Sequence, residues 1–577
     1  MEHTEITHHS PMDPANGFWN TKWFGLTVIF LVVSAVMVPM AFMGIPDGYD
    51  LLQHLRFATT YHQAVLNGNF APAWAASDNF GFGSVGIRYY PPLAYYLLVL
   101  VRSITGNWFD SFWITSFGWM LIGGVGAYFW AREWNRGWPA TLAGVIYVIV
   151  PYHTFEIYYF VLYAEFAAAG ILPFCFLFLT RMCTRRHWAD VVFFAIAYSL
   201  LILTHIPSTI IASVAMAVYG LLILDWRHIK TIVIKLTTAF ALALSATCFH
   251  WLKTVTEMNW VMHNSPEYFS TGAYDYAQNF FPFFLYYPPV KYFQKFLWQL
   301  DILIIISILF LVPTTVKLLI KRPTHEAHTV ERRFDLALLA TASLSIILLS
   351  SATEFFWKYI TVLQKIQFPW RWLQITSLLG AVGFAVAMPR LIFSQNKFNR
   401  RGAYPILLFI LLVLFFDITQ IILPSMPLSR SAFDQKVSNI DNEEGCECWW
   451  PIWAKRGGFS QPERTIAGGR PVVVSEWQDE SRAVTVGAGD ATDLRFATFY
   501  HPYWRAIVND EVVAIGKDEN GVILVPLPAE TSTVHLFFKE PRFLFAAKLV
   551  SLAIWLLFAA FIASYLVNLT RNRNITA

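Results

Sequence analysis

The sequence predicts a polytopic α-helical membrane protein of about twelve spans that carries a β-sandwich or jelly-roll domain near its C-terminus. Three observations predict it. Apolar residues make up 56% of the 577 positions and charged ones only 14%, a balance too oily for a water-soluble chain. Apolar runs recur along the first 424 positions and again at 544–568, most of them long enough to cross a hydrocarbon core about 30 Å thick. From Arg470 the pattern shortens to PVVVSEW, AVTVGAG, DLRFATFY, EVVAIG, GVILVPLP and TSTVHLFF, separated by Gly, Asp, Asn and Pro, which reads as six to eight antiparallel strands. The net charge of +4 is small for this length and gathers in no basic stripe, so nucleic acid is not an expected partner.

Expected spans lie at roughly 24–43, 110–131, 139–152, 164–180, 191–205, 208–224, 231–250, 300–320, 334–351, 371–388, 404–424 and 544–568. The stretch 89–106 decides their direction. If it crossed, the basic cluster 181–187 would fall outside, against the positive-inside tendency. It is short, opens on Pro91-Pro92 and carries Arg102 and tyrosines suited to headgroup depth, so it is read as interfacial. The basic loops 131–137, 181–187, 225–230, 321–333 and 395–401 and the tail 571–574 then share the cytoplasmic side with both termini. The division is a cytoplasmic tail 1–20, a transmembrane domain 21–424 with a first outer loop 44–109, an extracytoplasmic β domain 425–543 beginning with a poorly regular connection at 425–469, and a last span with a short tail at 544–577. A cell (inner) membrane location follows. Cys446 and Cys448 are the only cysteines expected outside, and their pairing is left open by the spacing.

The first outer loop holds the sharpest chemistry. Asp47 and Asp50 emerge directly after the first span. Beyond them Leu51, Leu52, Leu55, Ala58, Val65 and Leu66 recur at helical spacing opposite Gln53, His54, Arg56, Thr59, His62 and Gln63, the pattern of an amphipathic helix lying on the membrane. Asp50 is four residues before His54 and Asp47 seven, so a helix reaching back to Asp47 would put both carboxylates and the imidazole on one face. The plain alternative is that Asp47 caps the helix and Asp50 pairs with Arg56 or is solvated.

Several stretches carry a resemblance. GYDLLQHLRF, NFGFG followed by YYPPL, YAEFAAAGILPF (163–174), LTHIPS (203–208), QFPWRWL (367–373) and FYHPYWRAIVNDEVV (499–513) occur in an order similar to a bacterial family of membrane proteins described as 6-pyruvoyl-tetrahydropterin synthase-related. The arrangement also resembles the GT-C superfamily of polyprenyl-phosphate-dependent glycosyltransferases. His501 and Tyr503 stand where that family has tyrosine and glycine, which questions the tight turn before Trp504. The resemblance implies a GT-C-like fold that transfers a sugar from a polyprenyl-phosphate donor to a glycan or protein acceptor. It also implies that an acid of the first loop is the general base, with Asp50 best placed, Asp47 in reserve and His54 as partner. A pterin synthase would need a three-histidine zinc site, and the histidines here are scattered over both sides.

Glu156 and Glu165 are expected in or beside the second outer loop, 152–163, with Glu165 contacting the acceptor or sharing a divalent cation with Asp50. The plain alternative pairs Glu165 with Arg371. Among outward cations Arg88, Arg102, Lys253, Lys291, Lys295, Lys358, Lys365 and Arg371, the last, between Trp370 and Trp372, is the first choice for a phosphate contact. Tyr89, Tyr90 and Trp74 are candidates to stack on sugar or lipid, and Trp370 to bind substrate beside Arg371. A non-catalytic envelope protein that binds a glycan or a protein partner through its β domain is the alternative function, and a secondary transporter is disfavoured by the lack of an internal repeat.

Overall fold

The computed structural model describes residues 21–185, 187–265, 274–281, 297–320, 326–392 and 400–576. The tail 1–20, Lys291, Lys295 and parts of the basic loops 321–333 and 395–401 lie outside them. Ten described helices are long and apolar enough to span a membrane: Lys22–Met43, Trp108–Ala131, Trp138–Phe160, Tyr163–Thr184, Ile206–Ile223, Trp226–Ala246, Asp301–Leu319, Pro369–Pro389, Pro405–Ile422 and Arg542–Arg571. The two other expected spans form helices that differ in kind. Ala189–Ile202 has only 14 residues, and Glu326–Leu348 opens on a charged turn carrying Glu331, Arg332, Arg333 and Asp335.

Trp138–Phe160 is buried along nearly its whole length, only Trp138 and Tyr159 being partly exposed, and is the centre of the bundle. Close packing around it needs small residues. A side chain added at Gly124 or Gly144 would meet Ile29 of the first span at under 3 Å. The expected outer loop at 152–163 is therefore mostly helix. Pro151 opens a new turn, a π turn runs over Glu156–Phe160, and Val161, left-handed at φ 57°, turns the chain back.

Contacts separate the two ends of the bundle. At one end Arg181 reaches Glu133 at 2.7 Å and Arg333 donates to the Leu224 carbonyl, gathering the basic loops. At the other, Ile45–Pro46 pairs antiparallel with Pro427–Leu428, and Leu93 N–H donates to the Leu203 carbonyl. The helix Leu93–Thr105 has 13 residues, about 20 Å of length, too short to cross.

The helix Leu51–Leu66 buries part of its polar side as well as its apolar one: Arg56 donates to Asp78 and to the Glu443 carbonyl, and His54 meets Tyr95, while Gln63 stays exposed. The segment over it, expected to be irregular, contains a helix at Arg430–Ser438 and a Cys446–Cys448 disulfide. Asn79, at φ 56°, holds this cover by accepting from Gly445 N and Trp450 Nε1.

The C-terminal region is a sandwich of two antiparallel sheets. One has the order Thr465–Ile466, Thr492–Phe499, Val522–Leu527, Gly516–Lys517. The other runs Val472–Trp477, Ser481–Val486, Ser532–Phe538, Trp504–Val508, Glu511–Val513. Alternating residues such as Val484, Val486, Leu494, Phe496, Val525, Val534 and Leu536 fill the interior. The turn before Trp504 forms despite His501 and Tyr503, closed by Trp504 N–H donating to the His501 carbonyl at 3.0 Å.

A buried ionic cluster fastens the sandwich to the bundle. Arg88 donates to both oxygens of Glu257 at 2.5 and 2.9 Å and also pairs with Glu540, while Tyr89 and Tyr503 donate to Glu257 at 3.1 Å. Burial pushes the Glu540 carboxyl up, but Lys253, Arg88 and Lys548 outweigh it and hold it down at about 2. Its stabilisation is thus full above the ordinary 4.5 and is lost as pH falls through about 2. Glu540→Gln is expected to lower the melting temperature at pH 7 and to remove on the order of 3 kcal/mol of acid-dependent stability between those pH values, read from thermal scans.

Candidate active site

Asp50 occupies the N-cap position of Leu51–Leu66, but its side chain makes no capping bond. Its amide donates to the Phe160 carbonyl at 3.1 Å, which ties the first loop to the end of the central helix. Half-buried, the carboxyl has no hydrogen-bond or ion-pair partner among the described residues. Crowding by protein pushes its pKa up to about 6; Arg371 pulls against that shift and Glu165 adds to it. The charge of Asp50 is also felt by Tyr90 and Tyr274, whose hydroxyls are raised chiefly by burial. These groups gather around Asp50 in what is termed the pit, and Tyr274 and Tyr49 there are exposed.

The floor is the Arg371–Glu165 pair, both under 10% exposed. Arg371 Nε donates to Glu165 Oε2 at 2.7 Å and Nη1 to the Ile366 carbonyl at 2.8 Å. The other oxygen of Glu165 accepts from Tyr152 at 2.9 Å and Gln374 at 2.6 Å. Ser208 donates to Gln374 Oε1 at 3.0 Å, and His205 lies 2.8 Å behind Ser208. Both oxygens of Glu165 are thus engaged, and its part is to orient Arg371. Nη2 of Arg371 makes no hydrogen bond among the described residues, so a donor remains for an anion.

Beside the floor runs an aromatic wall. Trp370 stacks on Phe368 at 4.4 Å and parallel to Phe160 at 6.3 Å, Phe160 meets Tyr49 at 5.5 Å, and Arg371 lies over Phe368 at 4.8 Å.

Other expected members lie elsewhere. Asp47 precedes the helix rather than joining it and pairs with Lys436 at 2.6 Å, so it shares no face with Asp50. His54 Nδ1 is 2.7 Å from the Tyr95 hydroxyl, and burial lowers its pKa to about 3, so it is neutral and does not partner Asp50. Tyr89 points to Glu257 while Tyr90, the next residue, turns to Asp50. Glu156 is buried on the π turn against His153 at 2.9 Å rather than in a loop. Arg88 and Lys253 serve the sandwich cluster, and Lys365 donates to Asn264. Among the described residues no group of three or more His, Cys, Asp or Glu is disposed to hold a metal, and both oxygens of Glu165 are hydrogen-bonded within the protein. Gln374 and Tyr152 escaped the sequence reading, although a glutamine three residues after Arg371 in an apolar span is a visible signal.

No curated protein matches the chain. Among solved structures it is similar to the oligosaccharyltransferase of Archaeoglobus fulgidus, at 12% identity over 77% of this chain and TM-score 0.40. It is also similar to the arabinofuranosyltransferase AftD from Mycobacteria, at 14% over 73% and 0.46. ArnT of Cupriavidus metallidurans bound to undecaprenyl phosphate matches at 12% over 73% and 0.37, with 74% of that chain covered. The chain spans 58% of the length of the archaeal protein and 28% of AftD. A family model described as 6-pyruvoyl-tetrahydropterin synthase related domain, membrane protein, matches residues 87–427, more than half of the sequence. The chain belongs to this family of 6-pyruvoyl-tetrahydropterin synthase-related membrane proteins.

Proposed function

We propose that the chain transfers a sugar from a polyprenyl-phosphate donor to an acceptor hydroxyl at the outer face of the membrane, with Asp50 as general base. The observation that carries this reading is Asp50 itself: a carboxyl without a partner among the described residues, pKa raised to about 6, beside a buried arginine with a spare donor. Asp50 takes the proton of the acceptor hydroxyl as its oxygen bonds to the anomeric carbon. The bond from that carbon to the phosphate oxygen breaks, and polyprenyl phosphate leaves with its charge met by Arg371 Nη2. The proton then passes to water at the open rim. The order of motifs shared with GT-C transferases supports the same chemistry.

The basic end of the bundle is assigned to the cytoplasm, which puts both termini there and the pit and sandwich outside, as in a bacterial inner membrane. On this reading residues 21–424 form the transmembrane unit and 425–543 the outer one. The test is incubation of the protein in lipid nanodiscs with a panel of polyprenyl-phosphate sugars. Release of polyprenyl phosphate with sugar transferred is the expected result; donor binding without release would favour a glycan-binding protein.

A further inference from the structure

Between Leu348, where one helix ends, and Pro369, where a span begins, the chain forms two short helices, Glu354–Tyr359 and Thr361–Gln364. In eight consecutive residues five large apolar side chains stand in the open: Phe355 at 66% exposure, Phe356, Tyr359 at 67%, Ile360 and Val362. The projection is held in place. Trp357 is fully buried and stacks on Tyr276 at 5.7 Å, Leu363 is buried, and Gln364 Nε2 donates to the Trp357 carbonyl at 2.9 Å. Phe355 packs on Tyr359 at 4.7 Å and on Phe356 at 5.8 Å, so the exposed rings form one patch. In water such a patch on a pinned element is costly, and a monomer keeps one only where something covers it.

We propose that residues 354–362 insert into the headgroup and upper acyl zone of the bilayer leaflet at the pit end of the bundle. Continuity with the membrane-facing surface carries this. Ile347, seven residues before Glu354, is exposed near the end of the preceding helix, and the span beginning at Pro369 follows the projection, so the patch sits where the bundle leaves the hydrocarbon. The composition suits that depth: phenylalanine and tyrosine rings face outward, with exposed Glu354 before them and exposed Lys358 among them, long enough to reach the headgroups.

The test is nitroxide labelling at Phe355→Cys, Phe356→Cys and Tyr359→Cys, one at a time, in nanodiscs of defined phospholipid. Background labelling is small because Cys175, Cys183 and Cys248 are buried and Cys446 is bonded to Cys448. Leu411→Cys, exposed on a span, is the lipid reference, and Val512→Cys, 76% exposed on the sandwich, is the water reference. Collision with oxygen exceeding collision with a nickel chelate at the three positions, as at Leu411, is the expected result. Nickel access equal to that of Val512 would overturn the proposal, as would protection from both probes, which would mean a protein partner. Lipid contact here is required by no step at Asp50, so a failed turnover assay leaves it intact.

Discussion

Asp50→Asn is expected to lower donor turnover by about 10²–10⁴-fold while leaving donor binding in place, the range that a positioned general base contributes. Asparagine keeps the shape and loses the proton acceptor. Stability moves the other way. An ionised carboxyl that protein crowds and that no donor among the described residues satisfies is a cost to the folded state at pH 7, because its pKa of about 6 lies above the ordinary 3.8. The neutral amide removes that cost, so the melting temperature of the variant is expected to hold or rise. A loss of activity accompanied by a falling melting temperature would instead mark Asp50 as a structural residue, and the two readouts from one preparation decide between the roles.

Arg371→Met carries the second large effect. Glu165 is 1% exposed and would keep only the neutral donors Tyr152 and Gln374, leaving a buried charge without its cation. Breaking a buried pair from one side costs about 3–5 kcal/mol, read as a drop in thermal stability in detergent. The double variant Arg371→Met with Glu165→Gln is expected to recover most of that loss, because the uncompensated charge goes too. Activity is not expected to return with it, since the donor for the leaving phosphate is gone. Arg371→Lys fails for a different reason: one ammonium cannot bond Glu165 and the Ile366 carbonyl in the fork that Nε and Nη1 make, so it is expected to fall between wild type and Met.

What was legible in the sequence followed local pattern. The long strands from Val472 to Phe538 sit where β-branched and aromatic runs alternate between turn residues, and most spans sit where apolar runs reach bilayer length. The contact between Glu165 and Arg371 was legible as an alternative, because a charge at a membrane margin needs a partner and few were available. What failed depended on distant chain. Helix 51–66 reads as amphipathic, and no local periodicity reports that Asp78, Tyr95 and the Glu443 carbonyl engage Arg56 and His54 on its polar face. Asp47 is taken by Lys436, nearly four hundred residues away in sequence. Tyr89 and Tyr90 look equivalent in a string and part company because the short helix Gly86–Tyr89 ends between them. Glu156 left its expected loop because Pro151 restarts the helix instead of ending it.

The pH dependence of kcat/KM for sugar release from a polyprenyl-phosphate donor, in nanodiscs, tests the central claim most directly. A base must be ionised to work, so activity is expected to be flat above the Asp50 pKa and to fall tenfold per pH unit below about 6, with that limb absent from the residual rate of Asp50→Asn. A wild-type profile with no limb near pH 6, or the same limb persisting in Asp50→Asn, would contradict the assignment of Asp50 as the base.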